Sequence, residues 1–338
     1  MPGGIGGVEL NRTNERLSSS LSRYQKNIKS QVAKRKPLLS FLEKHTEKYD
    51  GGLDIAVQFR YTQSLIGEAN SNVGVYSYYD NLTTAPTDQV KTGRETWSFY
   101  NAAITLSGQE QRENAGKNIF KRFKQKTMFA EADLATNINN AAWGVAGGDA
   151  SKHISSIPSL ISGSDAGTIH GLSKASNTWL YSQSSTAIGD AATNLLDKMA
   201  EGYNSCIDAI DDKSQSPDIA ITQQAVYQVL QGILPNYLAI DRKGNEPIDI
   251  GFPQIKYMGV TLTFDSACPQ VGGSYSMWML TGSTFEYVVD QERNFITTPF
   301  VNMLPKQDAD VAQILTAIGL TCNSPRSNWR GTGITISN

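Results

Sequence analysis

The chain has 338 residues, with 30 Lys+Arg against 32 Asp+Glu, and the resulting formal charge of -2 excludes both a strongly basic nucleic-acid binder and an acidic tail protein. At 39% hydrophobic it can bury a sizeable core, enough for two domains or one elaborated domain. Charged residues make up 18%, below the roughly 25% of ordinary soluble chains, and the uncharged polar surface that this leaves suits extensive contacts with protein.

The opening MPGGIGGVEL lacks a basic leader and an apolar core segment, and no stretch approaches the ~20 apolar residues that span a bilayer, so neither secretion nor a membrane is expected. The first 50 residues carry ten basic against five acidic side chains and few large apolar groups before Pro37. Such a segment cannot offset its ordering entropy by burial, and it reads as an arm over 1–48 that orders on a partner, with a short helix from about Leu38 to His45.

From Leu53 the pattern changes to period 2: Leu53, Ile55, Val57, Phe59 and Tyr61 alternate with Asp54, Ala56, Gln58, Arg60 and Thr62, which predicts a strand with one apolar face. A turn-rich stretch with Tyr76, Tyr78 and Tyr79 follows, then a second strand over 96–106. Two strands around a polar middle predict a projecting hairpin, whose apolar face (Val57, Phe59, Tyr61, Trp97 and Phe99) has no core of its own and calls for a second molecule.

From Glu110 to Trp143 a stripe of Ile119, Phe123, Thr127, Ala130, Leu134, Ile138 and Ala141 predicts one helix, roughly 50 Å long at ~1.5 Å per residue. Its first half is basic, with Arg112, Lys117, Lys121, Arg122, Lys124 and Lys126 against Glu110 and Glu113. Two readings stand for that run: a solvated helix face, or electrostatic contact with nucleic-acid phosphates or an acidic partner.

Glycines 144, 147 and 148 mark a boundary. Beyond it helices are predicted over 185–210 and 222–232, the second capped by Thr222, with strands over 217–221, 257–265, 275–282 and 285–289. The tail, 308–334, reads as a short apolar element, a turn at Ser324-Pro325 and a final strand. The class is α+β, without βαβ alternation or internal repeats.

Motifs of catalysis are missing. His45, His153 and His170 lie in no metal-ligand spacing, Cys206, Cys268 and Cys322 form no C-x-x-C, and there is no phosphate loop, dinucleotide fingerprint or nucleophile elbow. Asp208, Asp211 and Asp212 read as an acidic patch at a helix end. No enzyme activity, cofactor or metal is expected, and the cysteines read as reduced and buried.

Several strings in order carry a resemblance: ITLSGQEQRENAGKNIF (104–120), GTIHGLSKASNTW (167–179), PDIAITQQAVY (217–227), GFPQIKYMGVTLTFD (251–265) and the closing ADVAQILTAIGLTCNSPRSNWRGTGI. Following a basic arm and a long hairpin, they resemble the major capsid proteins of tailed bacteriophages with the Hong Kong 97-type fold, over roughly residues 50–338.

The resemblance implies an N-terminal arm (1–48), an extended loop (49–108), a peripheral domain (109–168 and 282–338) with a spine helix over 110–143, and an axial domain (169–281). It implies a structural subunit that self-assembles into hexamers and pentamers of an icosahedral head enclosing double-stranded DNA. The extended loop would lie across a neighbour through Val57, Phe59, Tyr61, Trp97 and Phe99, and Lys117, Lys121, Arg122 and Lys124 would face the DNA. Implied partners are a separate scaffolding protein, a portal and a decoration protein; the implied place is the virion, assembled in the bacterial cytoplasm. Lys174 stands where the family string would carry an arginine making an inter-subunit contact. Two rival readings are an encapsulin-like compartment shell with the same fold, and a soluble hydrolase whose triad is assembled from unlinked Ser, Asp and His170.

Overall fold

A computed structural model describes residues 36–62, 73–82, 88–113, 117–164, 166–209, 215–233, 255–302 and 307–336. Most of the expected arm, up to residue 35, lies outside these, as do Asp211 and Asp212 of the acidic patch. The chain divides into two units: one contains Tyr100–Thr136 and Phe295–Leu315, the other Arg35–Phe99, Asn137–Asn294 and Thr316–Asn338.

The described chain begins with α1 (Pro37–Lys44), where a proline in the first turn presets the helical φ and Leu38, Leu39, Phe41 and Leu42 form the buried side. β1 (Thr46–Tyr49) follows, then β2 (Asp54–Arg60), whose buried Ile55, Val57 and Phe59 alternate with exposed Ala56, Gln58 and Arg60. The strand paired with β2 is β3 (Val90–Thr96), antiparallel, with Asp54 opposite Thr96 and Arg60 opposite Val90. It is not the expected 96–106: the chain leaves the ladder at Trp97 and begins a new strand, β4 (Ser98–Ser107).

β3 escapes pattern reading because it is polar for structural reasons. Its inward positions are Lys91, Gly93 and Glu95, opposite Phe59, Val57 and Ile55. Lys91 Nζ donates to Asn177 Oδ1 at 3.0 Å, Glu95 bonds His170, and a Cβ on Gly93 would stand 2.9 Å from His170 Cβ, so only glycine permits the approach.

The predicted long helix is recorded as α2 (Gly108–Glu113) and α3 (Lys117–Ala142), with 114–116 outside the described residues. In the first unit Lys126 Nζ reaches back to Thr105 O at 2.9 Å and Glu110 Oε2 at 2.8 Å. In the second unit the end of α3 is buried through Ile138, Ala141, Ala142 and Trp143. After it come α4 (Ile157–Leu160) and a small hairpin of β5 (Thr168–Ile169) and β6 (Leu172–Ser173), turned at His170 and Gly171 with φ of 47° and 76°.

The larger sheet gathers β7 (Gln183–Ser185), β8 (Gly189–Asp190), β9 (Ile219–Thr222), β10 (Ile255–Tyr257), β11 (Val260–Phe264), β12 (Tyr275–Leu280) and β17 (Trp329–Thr335), in the order β10-β11-β9-β12-β17-β7 with β8 also on β17. One face is covered by α5 (Ala191–Asp208) and α6 (Gln224–Ile233): Leu195, Met199, Val226 and Leu230 pack with Ala220, Met277, Met279 and Trp329. Gly202 lets α5 lie directly on the Trp329 ring. On the other face Trp143 meets Trp278 at 6.1 Å, and Asp265 Oδ2 accepts from Trp143 Nε1 at 3.1 Å and Asn139 Nδ2 at 3.3 Å. The Gln223 side chain ties this sheet together as well, donating to Pro269 O and accepting from the Ser276 amide.

Two local expectations change. The predicted strand 257–265 is a hairpin, because Met258 and Gly259 take positive φ of 51° and 85° and turn the chain between β10 and β11. Thr222 does not cap a helix: it ends β9, and its hydroxyl donates to Ser276 O at 2.8 Å.

The second sheet system runs through β13 (Phe285–Asp290), β14 (Ile296–Thr297), β15 (Val301–Asn302) and β16 (Ala309–Cys322). In the second unit β13 lies between β1, parallel, and the Ile318–Cys322 end of β16, antiparallel. In the first unit β14 and β15 pair with the front half of β16. The expected short apolar tail element is thus a strand of 14 residues, nearly all buried in its second half.

Candidate assembly surface

The hairpin root is held by its own chain. Ile55 lies against Gly319 of β16, while the Phe59 ring stacks on His170 at 6.1 Å and meets Trp179 at 5.5 Å. Phe59 is therefore only 3% exposed and Val57 6%. This corrects the expectation that both are free for a neighbour: the face that period 2 defines is covered by segments distant in sequence. Tyr61 is half-buried, beside Trp179 at 6.1 Å and under Lys91 Nζ at 4.8 Å, and its hydroxyl donates to Asp88 O. Trp97 is half-buried, its indole N–H without an acceptor among the described residues. Of the five named residues only Phe99, 64% exposed, is open.

The apolar surface that the loop leaves open lies further along it. Tyr78 and Tyr79 are 98% and 100% exposed, and Val75, Tyr76 and Leu82 are exposed with them. Pattern reading missed these as contact residues because they follow no period; the available signal was three tyrosines packed into a turn-rich stretch.

Of the basic residues, Lys124 is exposed on α3. Lys117, Lys121 and Arg122 are on the same helix, and their side chains fall outside the described part.

The buried polar groups nearest the hairpin root test for chemistry. The Cys322 backbone N–H can only donate, so His170 Nε2 is the unprotonated acceptor at 3.1 Å, and the ring proton sits on Nδ1, donating to Glu95 Oε2 at 2.8 Å. Glu95 Oε1 accepts from Ser155 Oγ at 2.6 Å. The carboxylate thus lies between hydroxyl and imidazole, whereas a hydrolytic triad needs the imidazole between hydroxyl and carboxylate. Both ring nitrogens of His170 are committed, which removes it as the base of the hydrolase reading.

Burial pushes the thiols of Cys206 and Cys322 up to about 12 and that of Cys268 higher still, so all three are protonated and unreactive. Among the described residues no cluster of His, Cys, Asp and Glu could hold a metal, and no helix is long and apolar enough to cross a membrane.

Lys174, where the family string would carry an arginine, is turned into its own chain. Its side chain is sealed inside the chain, 1% exposed, and Nζ donates to Ser159 O at 2.8 Å. Burial, with Arg330 nearby, pulls the amine down from 10.5 to about 8.

No family model matches the sequence, and no curated protein matches it. Solved structures do match along nearly the whole chain. The capsid asymmetric unit of cyanophage A-1(L) superposes with a TM-score of 0.63 at 14% identity, covering 94% of this chain and 99% of that one. The fold is that of a capsid subunit. The capsid of the native GTA particle gives a TM-score of 0.60 at 10% identity over 97% and 99% of the two chains. The holo-SrpI encapsulin of Synechococcus elongatus PCC 7942 gives 0.55 at 9% identity over 99% and 98%. The capsid fold is therefore shared here by phage heads and an encapsulin shell.

Proposed function

We propose that this chain is the major capsid subunit of a tailed phage, assembling as hexamers and pentamers into an icosahedral head around double-stranded DNA. The observation that carries this reading is the extended loop: its root is fixed to the body, yet it holds Tyr78, Tyr79, Val75 and Leu82 in solvent. Large apolar groups grouped on one projecting segment are stable in a soluble protein when another copy covers them. Closed symmetry multiplies even a modest contact over every subunit. The described fold spans nearly the full length of phage capsid chains, which supports the same role.

In this reading residues 1–48 are the arm, 49–108 the extended loop, 109–168 and 282–338 the peripheral domain, and 169–281 the axial domain. Phe99 and the tyrosine run lie on the neighbour, Trp97 and Tyr61 frame the contact from the root, and Lys124 with Lys117, Lys121 and Arg122 faces DNA. Scaffolding protein, portal and decoration protein are the remaining partners, and the virion, assembled in the host cytoplasm, is its place. Electron microscopy of the concentrated protein tests the assembly: closed shells are expected, and monomers at every concentration and salt would overturn it.

A second reading, an encapsulin-like compartment, is favoured by the encapsulin match. Particle contents separate the two. Packaged DNA in large heads supports the phage reading; small shells loaded with a protein cargo support the compartment.

A further inference from the structure

Among the described residues, two cations in the second unit have no anion. Lys174, directly after β6, is sealed from solvent, and its ammonium bonds a neutral carbonyl, Ser159 O at the end of α4. Arg330, on β17, lies with its guanidinium 4.9 Å over the Trp278 ring, and its Nε is buried with no acceptor among the described residues. Burial lowers the Lys174 amine first and Arg330, a charge of the same sign, lowers it further, while burial lowers Arg330. Buried charges are ordinarily paired or fully hydrogen-bonded, because an unpaired ion in low dielectric is costly.

The surroundings of the pair are built of donors. Arg330 stands opposite Trp278 on one side and Ser184 on the other in the strand register. Ser184 packs against Gly163, where a Cβ would overlap its hydroxyl, and Ser182, two residues before it, has a buried hydroxyl with no partner among the described residues. The segment from Ser159 to Gly163 therefore bonds Lys174 at one end and at the other meets Ser184, the register neighbour of Arg330. Among the described residues, an ammonium with spare N–H donors, a guanidinium whose Nε has no acceptor and an unpaired hydroxyl offer the donor set of an oxyanion.

We propose that Lys174 and Arg330, with Ser182, form a binding site for one small oxyanion of the phosphate or carboxylate class. Arg330, half-buried, is the open side of the site, and Lys174 its closed end. The charge comes either from free inorganic phosphate or from a carboxylate that a neighbouring copy places over Arg330 on assembly.

The test uses the full chain as unassembled subunits at pH 7 and constant ionic strength, titrated with inorganic phosphate and, as a control, chloride, with thermal unfolding as readout. Expected is a rise in Tm with phosphate that chloride does not reproduce. Lys174→Met, which keeps the side-chain length and removes a buried charge, folds at least as stably and binds phosphate about ten-fold more weakly or worse. Arg330→Gln does the same. If the carboxylate comes from a neighbour, subunits ignore phosphate, but Lys174→Met and Arg330→Gln each yield folded subunits whose shells are lost or fall apart at lower salt than wild type. Phosphate-insensitive wild-type subunits together with unchanged shells in both variants would overturn the site. The subunit arm reads binding without any shell, so a failure of the assembly reading and a failure of the site are told apart.

Discussion

The two ends of the extended loop treat the same kind of residue in opposite ways. At the root, Val57 and Phe59 are inside the chain, and the polar groups that share their face are each given a partner: Lys91 has Asn177, and Glu95 has His170 and Ser155. Farther out, Tyr78 and Tyr79 stand wholly in solvent. The contrast teaches that apolar character alone does not mark a contact with a neighbour. The root has its apolar face covered by its own chain, and the outer stretch leaves its apolar groups in solvent, where the proposed assembly puts a neighbouring copy.

Cutting the root is expected to have the largest effect. Phe59→Ala removes a ring packed on His170 and Trp179 and should cost about 3–5 kcal/mol, read by denaturant unfolding of the subunit. A loss below about 1 kcal/mol would show that the root does not rely on this packing and would collapse the contrast.

Behind the root, Lys174 sharpens it through pH. Its folded value of about 8 lies below the ordinary 10.5, so the unfolded chain binds the proton more tightly between these values. Stability attributable to this group is lowest below pH 8, rises between about 8 and 10.5, and levels off above. Lys174→Met should abolish that rise and stabilise the subunit at pH 7 by an amount on the order of 3 kcal/mol. Thermal unfolding across pH 7–10 in phosphate-free buffer measures it; parallel curves for the two proteins would count against a sealed cation.

The outer stretch should behave in the reverse way to the root. Replacing Tyr78 and Tyr79 together by serine should change subunit stability by no more than about 0.5 kcal/mol, since both are exposed, while closed shells disappear from micrographs. Normal shells from this variant would break the comparison at its functional end. The smallest effect is expected from Lys124→Gln, exposed on α3: no measurable change in Tm, and a shallower salt dependence of DNA binding, by about one unit of log–log slope.

Much of the scaffold was legible in the amino-acid order. Alternation over 53–61 gives β2, the 3.6-residue stripe gives α3, and Pro37 marks the start of α1. The order of several strings pointed to the capsid fold that the superpositions bear out. The partner of β2 was not legible, because Lys91, Gly93 and Glu95 are polar or small for reasons that lie in Asn177 and His170, far along the chain. Nor was the turn at Met258, a residue that rarely takes positive φ and does so here between two paired strands.

Periodicity by itself determined which side chains share a face, since that follows from backbone geometry within a few residues. Whether a face is covered was decided only by tertiary structure, because the covering groups, Gly319 for Ile55 and Trp179 for Phe59, come from segments separated by more than a hundred residues of chain. The same holds for charge: the sequence shows a lysine at 174 and an arginine at 330, and only folding sets the arginine near the buried lysine, with no acid paired to either among the described residues.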